Sequence, residues 1–178
     1  MSRPALFLDR DGIINVDHGY VVRQEDFDFI EGIFDVVLAA NRAGYLVIVV
    51  TNQAGIGRGY YTEADFHQIT DWMLEQFELR GAHIDAVYFS PYHPEHGVGE
   101  YRRDSDCRKP APGMILRAAR EHDIDLKHSI LVGDKLSDIE AGQRAGVGTL
   151  LFYAGEDERM GAITVSRLSE VIRYLDMT

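Results

Sequence analysis

The chain has few of the residues that define several large classes of protein. Its 178 residues include one cysteine, so no disulfide framework can form within the chain, which is typical of a reducing compartment. Lysine and arginine number 18 against 29 aspartate and glutamate residues, and the formal net charge is -11. Because a nucleic-acid backbone is bound by a basic face, this charge argues against a nucleic-acid partner.

Long apolar runs, internal repeats and low-complexity tracts are also lacking. No run approaches the roughly 20 apolar residues of a membrane-spanning helix, and the chain does not open on a basic segment followed by an apolar one. Apolar residues nevertheless make up 46% of the chain, which is enough for a full-sized core. We therefore expect one globular domain over residues 1–178, a monomer in the cytoplasm without membrane contact.

Short apolar runs alternate with segments of helical spacing, which predicts an α/β fold with a doubly wound parallel sheet. The predicted strands are Ala5–Leu8, Leu46–Val50, Ala86–Phe89, Ile130–Val132 and Thr149–Phe152. The predicted helices are Ile33–Arg42, Thr62–Arg80, Pro112–His122, Leu136–Ala145 and Val165–Leu175. Two connections, residues 15–31 and 90–110, are longer than usual, so we expect them to face a substrate.

Acidic side chains stand where two of these strands end. Asp9 and Asp11 follow the first strand and precede Gly12, and Asp134 follows the fourth strand. Carboxylates crowded into a cleft repel one another unless a cation joins them. If the first and fourth strands are neighbours, these three residues converge on one edge of the sheet. Their hard oxygen ligands then suit Mg²⁺.

Further polar residues complete the parts needed to transfer a phosphoryl group. Asp9 is suited to attack phosphorus, and Asp11 to protonate the leaving oxygen and then deprotonate water. Thr51 ends the second strand and Lys109 lies in the long second connection, where each could hold a phosphoryl oxygen. Alone, each of these residues fits a turn, a helix cap or a solvated surface; together and in order, they predict a phosphatase.

Five segments resemble the motifs of the haloacid dehalogenase superfamily, in order and over essentially the whole chain. They are FLDRDGIIN at residues 7–15, DHGYV at 17–21, TNQAGIGRG at 51–59, CRKPAPGM at 107–114 and VGDKLSDIEAG at 132–142. The resemblance implies a Rossmann-like fold with short loop insertions and no large cap domain. It also implies a Mg²⁺-dependent phosphatase that forms an aspartyl phosphate.

The resemblance assigns roles to individual residues. Asp9 would be the nucleophile and Asp11 the acid/base. The metal would be held by the Asp9 carboxylate, the Asp11 main-chain carbonyl and Asp134. Because Asp138 lies further from the end of its strand, its position predicts that it orients Lys135 or a metal-bound water instead of binding the metal. The substrate would be bound by Asp17, His18, Gly19, Tyr20, Thr51, Asn52, Gln53, Ala54, Arg108, Lys109 and Lys135.

Within the superfamily, the chain resembles the branch of histidinol phosphatases and heptose bisphosphatases. This implies a phosphorylated sugar as substrate, namely a heptose bisphosphate that loses its primary phosphate during activated-heptose biosynthesis for lipopolysaccharide or another surface glycan. Histidinol phosphate is the alternative substrate, but Arg108, with Arg58 or Arg102 in reach, suits a second phosphate better. A phospho-receiver signalling module is the alternative of another class, and it has no need of an acid/base at Asp11.

Relatives in this branch commonly bind a structural zinc ion in the second long loop through Cys-x-His and a later Cys-x-Cys. The matching positions here are Ser90, Tyr92, Ser105 and Cys107, so one of the four ligands that zinc needs is present. We therefore expect no structural zinc, with hydrogen bonds and packing holding the loop. His93, His96 and Asp106 are the residues that could replace the missing ligands.

Overall fold

The computed structural model describes residues 1–153 and 161–175, which form a parallel sheet with helices on both faces. The six strands follow the order β3-β2-β1-β4-β5-β6, and each neighbouring pair is parallel. The predicted α/β fold is therefore confirmed. The strands are β1 (Ala5–Leu8), β2 (Leu46–Asn52), β3 (Ala86–Ser90), β4 (Ile130–Gly133), β5 (Thr149–Tyr153) and β6 (Ile163–Val165).

The helices lie close to their predicted positions. They are α1 (Ile33–Arg42), α2 (Ala54–Gly57), α3 (Glu63–Glu78), α4 (Gly113–His122) and α5 (Leu136–Ala145), with 3₁₀ helices at Gln24–Asp26, Gly99–Tyr101, Leu126–His128 and Leu168–Tyr174. The sequence did not predict α2, because a helix of four residues is too short to show a period. None of the described helices combines the length and apolar composition that crossing a membrane requires.

Alternate residues of each central strand pack into two separate hydrophobic cores, one on each face of the sheet. In β1, Leu6 and Leu8 pack with α1 and α3, whereas Ala5 and Phe7 pack with α4 and α5 on the opposite face. Successive side chains of a strand point to opposite faces, so a strand covered on both faces must be apolar throughout. This is why the central strands appear in the sequence as unbroken apolar runs.

The prediction of a helix over Val165–Leu175 was wrong at its start and in its type. Val165 ends β6, which pairs with β5, and the helix that follows is a 3₁₀ helix over Leu168–Tyr174. The buried residues of this helix, Leu168 and Val171, are three positions apart, which matches three residues per turn. A three-residue strand and a 3₁₀ turn in succession imitate the spacing of one longer helix.

The neighbouring position of the first and fourth strands, on which the predicted site depends, is confirmed. Leu6 pairs with Ile130 and Leu8 with Val132, so the residues after β1 and β4 emerge at the same edge of the sheet. The strand order reverses here, because β1 leads to β2 on one side and β4 to β5 on the other. Open α/β sheets bind their ligands at such a point.

Helix α3 begins with a capping box formed by Thr62 and Asp65. The Thr62 Oγ1 accepts a hydrogen bond from the Asp65 main-chain N at 3.1 Å, and the Asp65 carboxylate accepts one from the Thr62 main-chain N at 2.8 Å. Two amides that the helix leaves without partners are thus satisfied reciprocally. The cap also fixes the chain immediately after Tyr61, which matters for the site described below.

Replacing Thr62 by alanine removes the capping oxygen, and we expect Thr62→Ala to lower the free energy of unfolding by about 1 kcal/mol. Urea denaturation of the wild type and the variant measures this difference. Thr62→Ser keeps the oxygen and should retain most of the stability. An equal loss in both variants would show that the threonine methyl group, and not the cap, stabilises this position.

Candidate active site

Asp9 and Asp134 approach each other at the ends of β1 and β4. The Asp9 main-chain N donates to the Val132 carbonyl at 3.3 Å, which continues the strand pairing up to the site. Gly12 has a φ of 96°, and a Cβ added there would lie 2.0 Å from an Asp134 carboxylate oxygen. Glycine is therefore required at this turn, both for its backbone conformation and for the space that Asp134 occupies.

A third carboxylate, that of Asp138 in the first turn of α5, completes a compact acidic group. One oxygen from each of Asp9, Asp134 and Asp138 lies within 4.8 Å of the others. Asp138 Oδ2 accepts hydrogen bonds from the main-chain N of Asp134 at 3.2 Å and of Lys135 at 3.1 Å. Asp138 thus orients the Lys135 backbone and not its ammonium group.

Lys109 is the cation built into this acidic group. Its Nζ donates to Asp138 at 2.6 Å, to Asp9 at 2.9 Å and to the Val50 carbonyl at 2.8 Å. Burial disfavours the charged ammonium, but Asp138 and Asp9 outweigh that cost and raise the pKa of Lys109. One positive charge thus faces three carboxylates in a mostly buried recess.

The protein leaves this negative charge only partly compensated. Burial, followed by the Asp138 charge, raises the pKa of Asp134 to about 6. Burial and Asp138 also raise the pKa of Asp9 despite the opposing effect of Lys109. Asp134 Oδ1 is buried and has no hydrogen-bond partner among the described residues. Hard oxygen donors, excess negative charge and a buried oxygen without a donor together fit a Mg²⁺ ion.

The Asp11 side chain lies outside this acidic group, held by donors on its other side. Its Oδ1 accepts from Arg10 Nη2 at 2.8 Å and Asn15 Nδ2 at 3.0 Å, and its Oδ2 accepts from Gln53 Nε2 at 3.0 Å. A carboxylate oriented in this way is suited to proton transfer. The role of the Asp11 main-chain carbonyl in holding a metal ion stays a prediction.

Arg10 is a site residue that sequence reasoning missed. It is only 1% exposed, and its guanidinium lies 5.7 Å from the Phe27 ring centre and 5.9 Å from that of Phe66. Besides contacting Asp11, its Nη2 donates to the Val21 carbonyl at 2.6 Å. Arg10 therefore ties the first long loop to the acid/base. Its position between two aspartates after an apolar strand is the sequence feature that could have indicated this role.

Thr51 and Asn52 end β2 directly beside Lys109. Thr51 is fully buried, and its Oγ1 accepts from Gln53 Nε2 at 2.9 Å. The Asn52 side chain donates to the Lys109 carbonyl and accepts from the Lys109 main-chain N, both at 3.0 Å. Asn52 therefore positions the backbone that carries Lys109, in addition to facing the cleft.

Most of the predicted substrate residues face one cleft of about 600 Å³. A recess of about 40 Å³ involves Asp9, Asp138 and several cleft residues, so it lies at the acidic group. A sugar-sized cleft next to a small charged recess suits a phosphorylated sugar. The cleft is lined by Asp11, Asp17, Gly19, Tyr20, Asn52, Gln53, Ala54, Gly55, Tyr61, Arg108, Lys109, Pro110, Lys135 and Ser137.

His18, which the resemblance implied as a substrate residue, is not among these lining residues. Its Nε2 lies 2.7 Å from a carboxylate oxygen of Asp28, and both side chains are about half exposed or more. The ring therefore pairs within its own loop. Its neighbour Asp17 does face the cleft, where it lies 3.4 Å from Lys135 Nζ and links the first loop to the start of α5.

Arg108 lines the cleft, and Arg58, which is not among the lining residues, lies close to it. The half-buried Arg108 donates from Nη1 to the Tyr92 carbonyl at 3.2 Å. Burial and the positive charge of Arg58 lower the pKa of Arg108. Arg58 Nε is buried without a hydrogen-bond partner among the described residues, and the negative charge of Asp104 offsets part of the fall in the Arg108 pKa. Two adjacent cations with spare donors favour an anion.

Three of the four positions that match the zinc ligands of relatives, Ser90, Ser105 and Cys107, come together through hydrogen bonds. Cys107 Sγ lies 3.2 Å from Ser90 Oγ and 3.0 Å from Ser105 Oγ, and the Cys107 main-chain N donates to Ser105 Oγ at 3.3 Å. These contacts join the end of β3 to the segment before Lys109. The absence of a structural zinc ion stays a prediction.

Mg²⁺ should stabilise this protein more at neutral than at acidic pH. The pKa of Asp134 is 3.8 in an ordinary aspartate and about 6 in the folded protein. At a pH between these two values, the folded state therefore holds a proton on Asp134 that the unfolded state has lost. This contribution to the free energy of unfolding therefore falls as the pH rises through that window. Mg²⁺ binds the ionised form, so the Mg²⁺-induced rise in melting temperature should be larger at about pH 7.5 than at about pH 5.

Asp134→Asn is the matched variant for thermal unfolding with and without Mg²⁺. Removal of one charge from the crowded recess should raise the melting temperature in metal-free buffer at neutral pH and abolish most of the Mg²⁺-induced rise. An equal Mg²⁺-induced rise in the variant and the wild type would place the ion elsewhere.

Comparison with known proteins agrees with this geometry. A family model described as HAD-hydrolase-like matches residues 106–175. The chain is 57% identical to a D-glycero-alpha-D-manno-heptose-1,7-bisphosphate 7-phosphatase of Burkholderia mallei, over 93% of this chain and 88% of the relative. It is 46% identical to a D-glycero-beta-D-manno-heptose-1,7-bisphosphate 7-phosphatase of Vibrio cholerae, over 98% and 97%.

Solved structures share the fold over nearly the whole chain. A HAD-like phosphatase from Mesorhizobium loti superposes with a TM-score of 0.91 at 38% identity, covering 98% of this chain and 86% of that one. A D,D-heptose 1,7-bisphosphate phosphatase from B. bronchiseptica, complexed with magnesium and phosphate, gives a TM-score of 0.83 at 28% identity, covering 97% of both chains.

Proposed function

Because this chain belongs to the haloacid dehalogenase superfamily and, within it, to the heptose 1,7-bisphosphate 7-phosphatases, we propose that it removes the 7-phosphate of D-glycero-D-manno-heptose 1,7-bisphosphate. The observation that carries this proposal is the arrangement of Asp9, Lys109 and Asp11 around one recess that opens on a sugar-sized cleft. The product is the heptose 1-phosphate, which suits activated-heptose biosynthesis.

Different residues attack the phosphorus atom and bind the oxygens of the transferred phosphoryl group. Asp9 Oδ1 accepts from both the Arg10 main-chain N and Lys109 Nζ at 2.9 Å, so we assign the attack on phosphorus to Oδ2. Thr51, Asn52 and Lys109 provide donors for the phosphoryl oxygens. A Mg²⁺ ion held by Asp9, Asp134 and the Asp11 carbonyl would neutralise negative charge on the carboxylates and the phosphate.

Asp11 moves the protons in both halves of the reaction. As the bond between phosphorus and the sugar oxygen breaks, Asp11 donates its proton to that oxygen, and Asp9 carries the phosphoryl group. Asp11 then removes a proton from the water that attacks phosphorus, and the bond to Asp9 breaks to release inorganic phosphate. A phospho-receiver preserves its aspartyl phosphate, so an acid/base in this position favours the enzyme over the signalling module.

The Arg58 and Arg108 pair favours a bisphosphate over histidinol phosphate. Two neighbouring guanidinium groups attract a second phosphate and repel the ammonium group of histidinol phosphate. The phosphate on carbon one of the heptose would supply that second anion. The net charge of -11 supports a soluble protein without a nucleic-acid partner, and we propose a cytoplasmic monomer.

Phosphate release with Mg²⁺ tests this function directly. The substrates to compare are both anomers of heptose 1,7-bisphosphate, histidinol phosphate and fructose 1,6-bisphosphate. We expect strong turnover of the heptose, with the α anomer preferred because the relative of 57% identity is named for it. Asp9→Asn should abolish turnover by removing the nucleophile. A clear preference for histidinol phosphate would overturn the proposed substrate, and activity in Asp9→Asn would overturn the mechanism.

The arginine pair can be tested through substrate preference. Arg58→Gln should raise the KM for heptose 1,7-bisphosphate about tenfold while leaving the KM for heptose 7-phosphate nearly unchanged, because a charged hydrogen bond to the distant phosphate is lost. Arg144→Gln, which alters an exposed arginine paired with Glu140 on α5, is the matched control. An equal rise in KM for both substrates would show that Arg58 does not contact the second phosphate.

A further inference from the structure

The polar atoms of the Gln53 side chain contact the protein itself. Its Nε2 donates to Asp11 Oδ2 at 3.0 Å and to Thr51 Oγ1 at 2.9 Å, and its Oε1 accepts a hydrogen bond from the Tyr61 hydroxyl. The residue is 3% exposed. Gln53 was predicted to bind the substrate, but its amide is engaged in supporting Asp11 and Thr51.

The Tyr61 hydroxyl determines which end of this amide faces Asp11. An ionised carboxylate can only accept hydrogen bonds, so it requires the NH₂ end of Gln53. Burial and the nearby Asp11 raise the pKa of Tyr61, which keeps the phenol protonated and able to donate. A phenol that donates to Oε1 holds the oxygen end away from Asp11 and the NH₂ end towards it.

The backbone around Tyr61 is built to seat its ring. A Cβ at Gly55 would lie 2.3 Å from Tyr61 Cε1, so the ring occupies the space that a side chain there would need. The ring is 7% exposed, and Thr62, the next residue, is fixed by the capping box of α3. The phenol is therefore held rigidly against Gln53.

We propose that Tyr61 is a positioning residue for the acid/base, acting on Asp11 through the Gln53 amide. The proposal rests on the proposed phosphatase function and adds to it a role for a residue that touches no reacting atom. Without the phenolic hydroxyl, the amide loses the donor that fixes its orientation. The Asp11 carboxylate is then held firmly on its Arg10 and Asn15 side only.

When the leaving group departs without a proton, only the second half of the reaction, hydrolysis of the aspartyl phosphate, requires proton transfer by Asp11. The p-nitrophenolate ion departs from p-nitrophenyl phosphate without receiving a proton, so formation of the aspartyl phosphate does not depend on Asp11. Hydrolysis of the aspartyl phosphate still requires Asp11 to remove a proton from water. A defect in Asp11 positioning must therefore slow the second half selectively.

Rapid-quench kinetics with p-nitrophenyl phosphate and Mg²⁺ separates these halves in Tyr61→Phe, which removes only one oxygen atom. We expect the first-turnover release of p-nitrophenol to be unchanged in rate and amplitude. Phosphate release should fall about fivefold, the effect of one neutral hydrogen bond, and KM should fall with it, because kcat/KM reports only the unchanged formation of the aspartyl phosphate. Tyr88→Phe is the matched control, because its buried phenol contacts Glu121 outside the cleft.

A double-mutant cycle shows whether Tyr61 acts through Gln53. Gln53→Leu should slow phosphate release, and adding Tyr61→Phe to it should cause no further decrease. Multiplicative effects would overturn the proposal, as would unchanged phosphate release in Tyr61→Phe. An equal loss in both halves of the reaction, as expected of a merely destabilised site, would also overturn it.

These outcomes are distinct from failure of the proposed function. Turnover of p-nitrophenyl phosphate without turnover of either heptose anomer would overturn the substrate and leave the Tyr61 measurement valid. Wild-type activity that survives in Asp9→Asn would overturn the nucleophile, whatever the result for Tyr61→Phe.

Discussion

The site depends on the buried ammonium group of Lys109. It joins three parts of the fold at one edge of the sheet: the end of β1 through Asp9, the first turn of α5 through Asp138, and β2 through the Val50 carbonyl. A buried ammonium is costly without such partners, and buried carboxylates are equally costly without a cation. Each therefore makes the other possible, and Asn52 fixes the backbone that brings Lys109 into place.

The sequence predicted those parts of the fold and site that follow from strand ends. Apolar runs located the five longer strands, and parallel strands place their carboxyl ends at one edge, so Asp9 and Asp134 could be brought together without a structure. The prediction was wrong where two short elements imitate one long one, as at Val165–Leu175, because a three-residue strand and a 3₁₀ helix carry too few residues to show their periods.

Side-chain orientation accounts for what could not be predicted at the site. His18 stands between cleft residues, yet its ring turns to Asp28, because in an irregular loop the direction of a side chain does not follow from its position in the sequence. Arg10 and Tyr61 are site residues that the sequence did not single out. Their roles depend on which atoms they meet, and only three-dimensional structure supplies that.

Asp9 and Asp11 are two residues apart, but the fold gives them opposite surroundings. Asp9 lies against Asp134 and Asp138 with Lys109 as its cation, an environment that concentrates negative charge for a metal ion. Asp11 is turned to Arg10, Asn15 and Gln53, donors that fix its direction without occupying a metal position. In the proposed reaction Asp9 has to be ionised, which its crowded recess opposes until a cation such as Mg²⁺ joins it, whereas Asp11 has to gain and lose a proton in each turnover. The turn at Gly12 allows this divergence, since it lets Asp134 reach Asp9 while the chain carries the Asp11 side chain towards its own donors.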